Sequence, residues 1–413
     1  MKKIIISLLT LLTFGTISTV SAQSFDVAAK HAIAVEATTG KILYEKDASQ
    51  PVEIASITKL VTVYLVYEAL EQGTISLSTP VDISDYPYKL TTNSEASNVP
   101  MEARNYTVEQ LLEATMVSSA NSAAIALAEK IAGSEKDFVD KMRAKLLEWG
   151  IQDATIVNTT GLNNETLGDN IYPGSKKDEE NKLSAYDVAI VARNLIRDYP
   201  QVLEITKKPT STFAGLEIHS TNYMLEGMPA YRGGIDGLKT GTTDKAGASF
   251  VGTTVEKGMR IITVVLNADQ QDGNPYARFT ATSSLLDYIS ANFSLQTIVK
   301  KGESYKDSKV TVLDGKEDSV PAVAKSDIAV VQRVGSGTTS ALQFTPKSKS
   351  ETAPLEEGKV VGTLTYDDQD LIGQGYITSK KPSFEMVSEK KVEKAFFLKV
   401  WWNQFIRFIN EKL

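Results

Sequence analysis

The sequence predicts a mixed α/β domain, in which helices pack on a sheet, followed by a small all-β domain and a C-terminal amphipathic helix. Alternating, strand-like runs stand at both ends of the region before position 295, with helical patterns between them. From 295 to 384, short alternating runs are separated by turn residues, which is typical of a β-sandwich. The segment 392–413 places its aromatic residues on one face of a helix.

Length and composition indicate a globular protein of two or three domains. The chain has 413 residues and a formal net charge of −7, which weighs against general binding to nucleic acids. It has no cysteine, which excludes a thiol nucleophile, and its two histidines, His31 and His219, lie in no recognisable catalytic setting. We expect four segments, which span 1–22, 23–294, 295–388 and 389–413.

The segment 1–22 has the pattern of a secretory signal peptide. Two lysines follow Met1, an apolar stretch runs from Ile4 to Val20, and small residues end the segment at Ala22. We therefore expect an exported protein, and export without disulfides favours a Gram-positive cell surface. A retained N-terminal anchor is the alternative interpretation.

Local patterns predict the elements of the second segment. Two alternating runs flank Thr39-Gly40 as a hairpin, and a helix that is apolar almost all round, and hence buried, begins at Ser56. Thr107 and Gln110 form a capping-box pattern. The expected strands are 31–36, 42–46, 234–242, 249–255 and 260–268, and the expected helices are 56–72, 107–116, 122–131, 183–198 and 275–293.

Ser56 and Lys59 form the first of three chemical motifs. Residues three apart share one face of a helix, so the hydroxyl and the amine can meet. A buried helix desolvates Lys59 and lowers its pKa, so that a neutral amine can take the proton of the serine nucleophile. The pattern alone is weak, because Ser388 and Lys391 repeat it.

The second motif is Ser119-x-Asn121, which lies in a break between two expected helices. In a cleft, the Ser119 hydroxyl can relay a proton to a leaving amine. The Asn121 amide can bind a substrate amide and orient the lysine. The alternative interpretation is a helix cap, because Ser and Asn favour such positions.

The third motif is Lys239-Thr-Gly-Thr242, on an expected strand that can pair with an extended peptide. Gly241 allows a close backbone approach, and Lys239 supplies positive charge for a carboxylate. The backbone N–H groups of Ser56 and Thr242 are candidates for an oxyanion hole. The alternative is a turn with a solvated lysine.

The order, the spacing and the expected secondary structure of the three motifs agree with one active site. Together they resemble the low-molecular-mass penicillin-binding proteins, which are serine-type D-alanyl-D-alanine carboxypeptidases. The resemblance covers essentially the whole chain. It implies a penicillin-binding/serine β-lactamase-like fold for the segment 23–294 and no metal or organic cofactor.

The resemblance also implies a role for each residue, with Ser56 as the acylated nucleophile and Lys59 as its base. The implied catalytic residues are Ser56, Lys59, Ser119 and Asn121. The implied substrate-binding residues are Lys239, Thr240, Gly241, Thr242 and Arg278. Ala120 and the lack of an E-x-x-L-N string after Gly161 weigh against a β-lactamase.

The implied reaction removes the terminal D-alanine from peptidoglycan stem pentapeptides that end in D-Ala-D-Ala. The implied reaction proceeds through an acyl-enzyme on Ser56, and β-lactams are the implied covalent inhibitors. Two alternatives stay open. One is a D,D-transpeptidase or endopeptidase, and the other is a β-lactam sensor without turnover.

The last segment predicts the localisation. From 390 onward there are six basic and two acidic residues, and Trp401, Trp402 and Phe405 lie on the apolar face. Such a helix lies in a membrane interface, so we expect peripheral anchoring at the outer face of the cytoplasmic membrane. The β domain would then raise the active site from the membrane. The alternative is a helix docked on the protein's own core.

Overall fold

The computed structural model describes residues 25–94, 96–270, 273–335, 341–378 and 381–412. The signal peptide that we predict over 1–22 lies outside these residues. Up to residue 268, the strands are β1 (Ala29–Glu36), β2 (Ile42–Lys46), β3 (Val52–Glu53), β4 (Pro80–Asp82), β5 (Asn105–Thr107), β6 (Lys182–Leu183), β7 (Thr210–Phe213), β8 (Leu216–His219), β9 (Ile235–Gly241), β10 (Ala248–Glu256) and β11 (Met259–Ala268).

The helices are α1 (Lys59–Glu71), α2 (Asp85–Leu90), α3 (Val108–Val117), α4 (Asn121–Ala132), α5 (Glu135–Glu148), α6 (Ala185–Asp198), α7 (Val202–Thr206), α8 (Ala277–Asn292) and α9 (Phe397–Lys412). Short 3₁₀ turns lie at Ala55–Thr58 and Asn164–Asn170. The strands of the second domain are β12 (Phe293–Val299), β13 (Ser304–Leu313), β14 (Ser319–Ala324), β15 (Ile328–Arg333), β16 (Ala341–Pro346), β17 (Glu351–Thr352), β18 (Val360–Asp367) and β19 (Ser383–Ser388).

A five-stranded antiparallel sheet in the order β2-β1-β11-β10-β9 forms the centre of the first domain. Successive residues of β1 point to opposite faces, so that Ile33 and Val35 join one core while Ala32 and Ala34 join another. Helices α1 and α3–α6 cover the first face, and α8 covers the second. The predicted sheet with packed helices is confirmed, and β9 lies at its free edge.

Several features of the first domain differ from the sequence prediction. The short helices α2 and α7 and the hairpin of β7 and β8 were not predicted. The α-helix that we expected from Ser56 begins at Lys59, because residues 55–58 form a tighter 3₁₀ turn. Helix α5 was not predicted. Polar residues dominate it, but Phe138, Val139 and Met142 face the core and Ser134 caps its first turn by accepting from the N–H of Asp137.

The second domain is all-β, as predicted. It contains a six-stranded sheet in the order β16-β18-β19-β14-β13-β17 and a two-stranded sheet of β12 and β15. Val310, Val320, Leu364 and Met386 belong to its core. Helix α8 runs directly into β12, so the two domains share this junction.

A loop of the second domain, 368–378, covers the edge strand β2 of the first. The N–H of Ile42 donates to Gly375 O at 2.8 Å, and the N–H of Ile377 donates to Gly40 O at 2.9 Å. Beside them, Lys41 Nζ lies 2.7 Å from Asp368 Oδ2, and both side chains are buried. The two hydrogen bonds satisfy backbone groups at the edge of the sheet, and the buried ion pair joins the two domains.

The C-terminal helix begins at Phe397 and not at Val392. Val392 packs in the core of the β domain and its N–H donates to Leu355 O, so it belongs to that domain. Among the side chains described in α9, only Val400 is buried. The helix is therefore not docked on a core of its own chain by its aromatic face. None of the helices in the described ranges has the length and hydropathy needed to span a membrane.

Candidate active site

The three motifs meet in one cleft beside the edge strand β9. Ser56, Ser119, Thr240, Thr242 and Arg278 all line this cleft, whose cavity has a volume of about 210 Å³. The other four residues that we predicted are buried directly behind it and contact these residues or each other; they are Lys59, Asn121, Lys239 and Gly241. The structure thus brings all nine residues together.

Two glycines fix the turn that carries Ser56. A Cβ on Gly161 would lie 1.8 Å from Ala55 O, and one on Gly241 would lie 2.6 Å from Ile54 O. Both backbones can therefore approach the Ser56 turn only without a side chain. Ala55 has a φ of 47°, which is unusual for a residue other than glycine and indicates local strain beside Ser56.

Lys59 is completely buried and lies next to Ser56. Its Nζ is 2.9 Å from Ser56 Oγ, 2.7 Å from Asn121 Oδ1 and 3.0 Å from the Thr160 carbonyl oxygen. Burial lowers the pKa of Lys59 well below its usual value, and the charge of Lys239 lowers it further. A neutral amine next to the Ser56 hydroxyl is the chemistry that the sequence predicts.

Ser119 and Asn121 lie where α3 ends and α4 begins. Ser119 has a φ of 61°, in the break between the two helices. Asn121 is the first residue of α4; Ala120 occupies the cap position, where no side-chain cap forms. The Asn121 Nδ2 donates to Ser97 O at 2.9 Å while its Oδ1 accepts from Lys59, so the helix-cap alternative is wrong.

Lys239 is buried behind the strand and is not a solvated turn residue. Its Nζ donates to Thr240 O at 3.1 Å, and Thr240 Oγ1 lies 2.7 Å from Thr221 Oγ1 at the cleft. Burial, together with the charge of Arg278, lowers the pKa of Lys239 to about 7. The positive charge at this end of the cleft is therefore sensitive to pH near neutrality.

Arg278 lies on the first turn of α8 and reaches the end of β9. Its Nη1 donates to Gly241 O at 2.9 Å and to Ser249 O at 3.1 Å, which fixes the guanidinium at the cleft. Burial lowers its pKa to about 10, so it remains charged at neutral pH. In the described part of the chain, no acidic side chain lines this cavity. The positive charge of Arg278 is therefore not offset there, and the cavity attracts anions.

Sequence reasoning missed several groups that complete the site. The carbonyls of Thr160 and Ser97 accept from Lys59 and Asn121, but a backbone carbonyl carries no sequence signature. Asn158 could have been recognised, because asparagine side chains often bind the backbone of the residues that follow and form turns. Its Oδ1 accepts from the N–H groups of Thr160 and Gly161 and shapes the turn that presents the Thr160 carbonyl. Tyr223, which also lines the cleft, had no recognisable pattern.

A comparison with known protein families decides the class of enzyme to which this site belongs. Residues 17–270 match the model of a family described as D-alanyl-D-alanine carboxypeptidase. The chain belongs to the D-alanyl-D-alanine carboxypeptidase family. Residues 293–394 of this carboxypeptidase match a second model, the C-terminal domain of penicillin-binding protein 5. The prediction of a serine carboxypeptidase with a C-terminal β domain is therefore confirmed.

Individual relatives agree with this assignment. A crystal structure of a peptidoglycan synthesis regulatory factor (PBP3) from Streptococcus pneumoniae is 81% identical, with a TM-score of 0.87 over 89% of this chain and 100% of that one. D-alanyl-D-alanine carboxypeptidase DacF of Bacillus subtilis is 28% identical over 92% of this chain and 90% of its own length. Penicillin-binding protein D2 of Listeria monocytogenes, solved in an ampicillin-bound form, is 30% identical, with a TM-score of 0.54, over 65% of this chain and 99% of its own.

The second Ser-x-x-Lys pattern has no part in the carboxypeptidase's cleft. Ser388 ends strand β19 in the other domain, where it is buried and its Oγ donates to Glu356 O at 2.6 Å. Lys391 is an exposed surface residue 3.4 Å from Glu356. The two Ser-x-x-Lys patterns therefore have the same residue types but differ in their structural surroundings.

Proposed function

We propose that this carboxypeptidase removes the terminal D-alanine of peptidoglycan stem pentapeptides through an acyl-enzyme on Ser56. One observation carries the proposal, which is the 2.9 Å contact of Ser56 Oγ with the buried Nζ of Lys59. The other neighbours of that nitrogen, Asn121 Oδ1 and Thr160 O, are acceptors without charge. A neutral amine donates its two hydrogens to these oxygens and turns its lone pair to the Ser56 hydroxyl.

The first half of the reaction is acylation. Lys59 takes the proton of Ser56 while Oγ attacks the carbonyl carbon of the penultimate D-alanine. The backbone N–H groups of Ser56 and Thr242 stabilise the oxyanion that forms. The proton passes through the Ser119 hydroxyl to the leaving amine, and the terminal D-alanine departs. Water, which Lys59 deprotonates in turn, then hydrolyses the ester and regenerates Ser56.

The positive end of the cleft selects a peptide with a free C-terminus. The carboxylate of the terminal D-alanine binds Thr240 and Thr242 and is attracted by the charges of Lys239, buried behind the strand, and of Arg278 at the same end. Since no acidic side chain of the described residues lines the cleft, the substrate supplies the counter-ion. The backbone of β9 lies at the free edge of the sheet and can pair with the extended peptide.

β-Lactams are covalent inhibitors in this proposal. Penicillin has a carboxylate and a strained amide in the positions of the terminal carboxylate and the scissile bond. It would acylate Ser56 and leave slowly. The ampicillin-bound Listeria relative supports this expectation for a chain with the same fold.

The test is release of D-alanine from a soluble peptide that ends in D-Ala-D-Ala, with mass spectrometry of the product. We expect a hydrolysed product with the wild-type chain and none with Ser56→Ala, whose fold is checked by its unfolding temperature. Retained activity in Ser56→Ala would reject the assignment. A stable penicillin adduct on Ser56 without any release would instead favour the sensor or the transpeptidase.

We further propose that α9 binds the outer face of the cytoplasmic membrane. Eight large apolar side chains at 396–408 are exposed, Trp401 by 62%. On the polar face, Lys399 and Arg407 donate to Asp318 and Asp314 of the β domain, which turns the aromatic face outward. Truncation after residue 396 should release the protein from vesicles and leave hydrolysis of soluble peptide unchanged. Continued pelleting with the vesicles would refute the anchor.

A further inference from the structure

A second cavity, of about 440 Å³, lies where the two domains meet. The first domain contributes the end of α5 and the outer side of α6, and the second contributes the loop 368–378 with its flanks. This cavity shares no lining residue with the catalytic cleft. Junctions between domains are places where small ligands commonly bind, and the volume is within the range of ligand sites.

Aromatic side chains from both domains line this junction cavity. Trp149 and Tyr186 come from the first domain and Tyr376 comes from the second, with the almost fully buried Tyr366 behind them. The hydroxyl groups of the tyrosines at the rim are already bound, since Tyr186 donates to Tyr376 O at 3.2 Å and Tyr376 donates to Asp368 Oδ2 at 2.8 Å. Their rings are thereby fixed in place, which leaves ring faces to contact a ligand.

The charges at the junction cavity are neutralised within the protein. Asp368 is paired with the buried Lys41, and the Lys381 ammonium is paired with Asp367. Polar contacts remain available from neutral groups, because the Gln374 amide is exposed at the cavity and the Trp149 indole N–H has no partner among the described residues. Fixed aromatic faces with neutral donors and acceptors suit an uncharged ligand that has apolar faces and many hydroxyl groups.

We propose that the junction cavity binds the glycan chain of peptidoglycan, a polymer of N-acetylated pyranose units. The C–H faces of a pyranose pack on aromatic rings, and its hydroxyl and acetamido groups bind Gln374 and Trp149. This inference rests on the proposed function, in which the substrate peptide is attached to such a glycan. Strand β2, beside the cavity, lies at the opposite sheet edge from β9, so the spacing of four strand pairs separates the two sites by about 19 Å across the sheet. Glycan binding therefore contributes to capture of polymeric substrate and not to the chemistry at Ser56.

Calorimetry with oligomers of N-acetylglucosamine, which are N-acetylated pyranose chains without charge, tests the site. The full chain is first acylated by penicillin at Ser56, so that the catalytic cleft is closed to the probe. We expect saturable binding by the unsubstituted chain. The substitution Tyr186→Ala should raise the dissociation constant at least tenfold, whereas the matched control Tyr186→Phe, which keeps the ring, should bind as before. The absence of binding, equal binding by Tyr186→Ala, or tighter binding of polyphosphate than of glycan would each overturn the proposal.

Kinetics on two substrates separates this proposal from the proposed function. Tyr186→Ala should release D-alanine from a soluble pentapeptide at the wild-type rate, which also verifies its fold. Its kcat/KM on pentapeptides attached to glycan should fall about tenfold. If the wild-type chain releases no D-alanine from either substrate, the proposed function fails. If Tyr186→Ala matches the wild-type chain on both, only the glycan site fails.

Discussion

Two buried lysines of the first domain, Lys41 and Lys59, differ in their neighbours. Both are at most 1% exposed. Lys41 Nζ lies 2.7 Å from the carboxylate of Asp368 and donates to Val331 O at 3.0 Å. Lys59 contacts only a hydroxyl, an amide oxygen and a carbonyl oxygen through its Nζ within the described chain. One forms an ion pair that joins two domains, and the other has no counter-ion.

The difference explains how burial produces either a structural contact or a base. Moving an ion from water into a protein interior costs several kcal/mol unless a partner compensates. Lys41 is compensated by Asp368, so its charge is part of the domain junction. Lys59 has no such partner, and burial lowers its pKa well below the usual value, which favours the neutral amine. This difference supports the proposed role of Lys59 as the proton acceptor.

The largest effect that we expect comes from Lys59→Met, which replaces the base by an apolar chain of similar length. The rate of Ser56 acylation should fall about 10³-fold, within the range of general-base catalysis. The midpoint of urea unfolding should fall less than in a variant that breaks a buried ion pair, because only hydrogen bonds, among them those to Asn121 and Thr160, are lost. Acylation by a fluorescent penicillin in stopped flow gives the rate, and urea titration gives the midpoint. A large loss of stability would show that Lys59 has a structural role like that of Lys41.

The opposite pattern is expected for Lys41→Met, which leaves Asp368 buried without its cation. Removal of one partner of a buried ion pair costs about 3–5 kcal/mol. The unfolding midpoint should therefore fall while acylation of Ser56 remains at the wild-type rate. The matched variant Lys41→Met/Asp368→Asn should recover most of the loss, since the asparagine oxygen can still accept from Tyr376. An equal loss in both variants would contradict the pairing argument.

The sequence predicted the side chains of the catalytic site better than their surroundings. Ser56, Lys59, Ser119 and Asn121 carry their chemistry in their residue types, and their order and spacing identify one site. The Thr160 carbonyl and the Lys41–Asp368 pair could not be predicted in this way. A carbonyl is common to all residues, and the partners of the ion pair are far apart in sequence and meet only when the domains pack.

The fold shows the same limit. Strands β9–β11 were predicted closely, because alternation and the turn at Lys257-Gly258 have a strong local signal. The 3₁₀ turn at Ser56 was not, because its shape depends on packing of Gly161 and Gly241 against it. The start of α9 was placed five residues early, since Val392 continues the apolar pattern while belonging to the β domain.

A smaller effect concerns pH and Lys239, which resembles Lys59 in burial but for which we propose a role in attracting the substrate carboxylate. Its pKa is lowered to about 7 by burial and by Arg278. The protonated form attracts the substrate carboxylate, so kcat/KM should fall as pH rises through about 7, by up to tenfold per unit. At saturating substrate the fall in kcat should begin at a higher pH, because the bound carboxylate raises the pKa of Lys239.

A substrate with an amidated C-terminus is the control for this prediction. It has no carboxylate to pair with Lys239, so its lower kcat/KM should lack the alkaline decrease near pH 7. The same alkaline decrease with both substrates would assign the titration to another group.

The smallest effect is expected at Glu135, a buried carboxylate that positions Lys59 through the backbone. Its Oε1 accepts from the N–H and Oγ1 of Thr159, at 2.9 and 2.7 Å, and its Oε2 accepts from Tyr86 at 2.8 Å. The next residue, Thr160, supplies the carbonyl that accepts from Lys59. In Glu135→Gln the new amide N–H can face Tyr86, whose hydroxyl then accepts, but the bonds from Thr159 change from charge-assisted to neutral, so the turn should be held less firmly.

We expect acylation of Ser56 in Glu135→Gln to slow about tenfold, because a misplaced Thr160 carbonyl orients the Lys59 lone pair poorly. The dissociation constant for the non-covalent penicillin complex should not change, since the carboxylate site at Lys239 is intact. Tyr86→Phe, which removes one bond and leaves both bonds to Thr159, should slow acylation less. If Tyr86→Phe slows acylation as much as Glu135→Gln, or if Glu135→Gln weakens the complex and not the acylation rate, Glu135 does not act through Lys59.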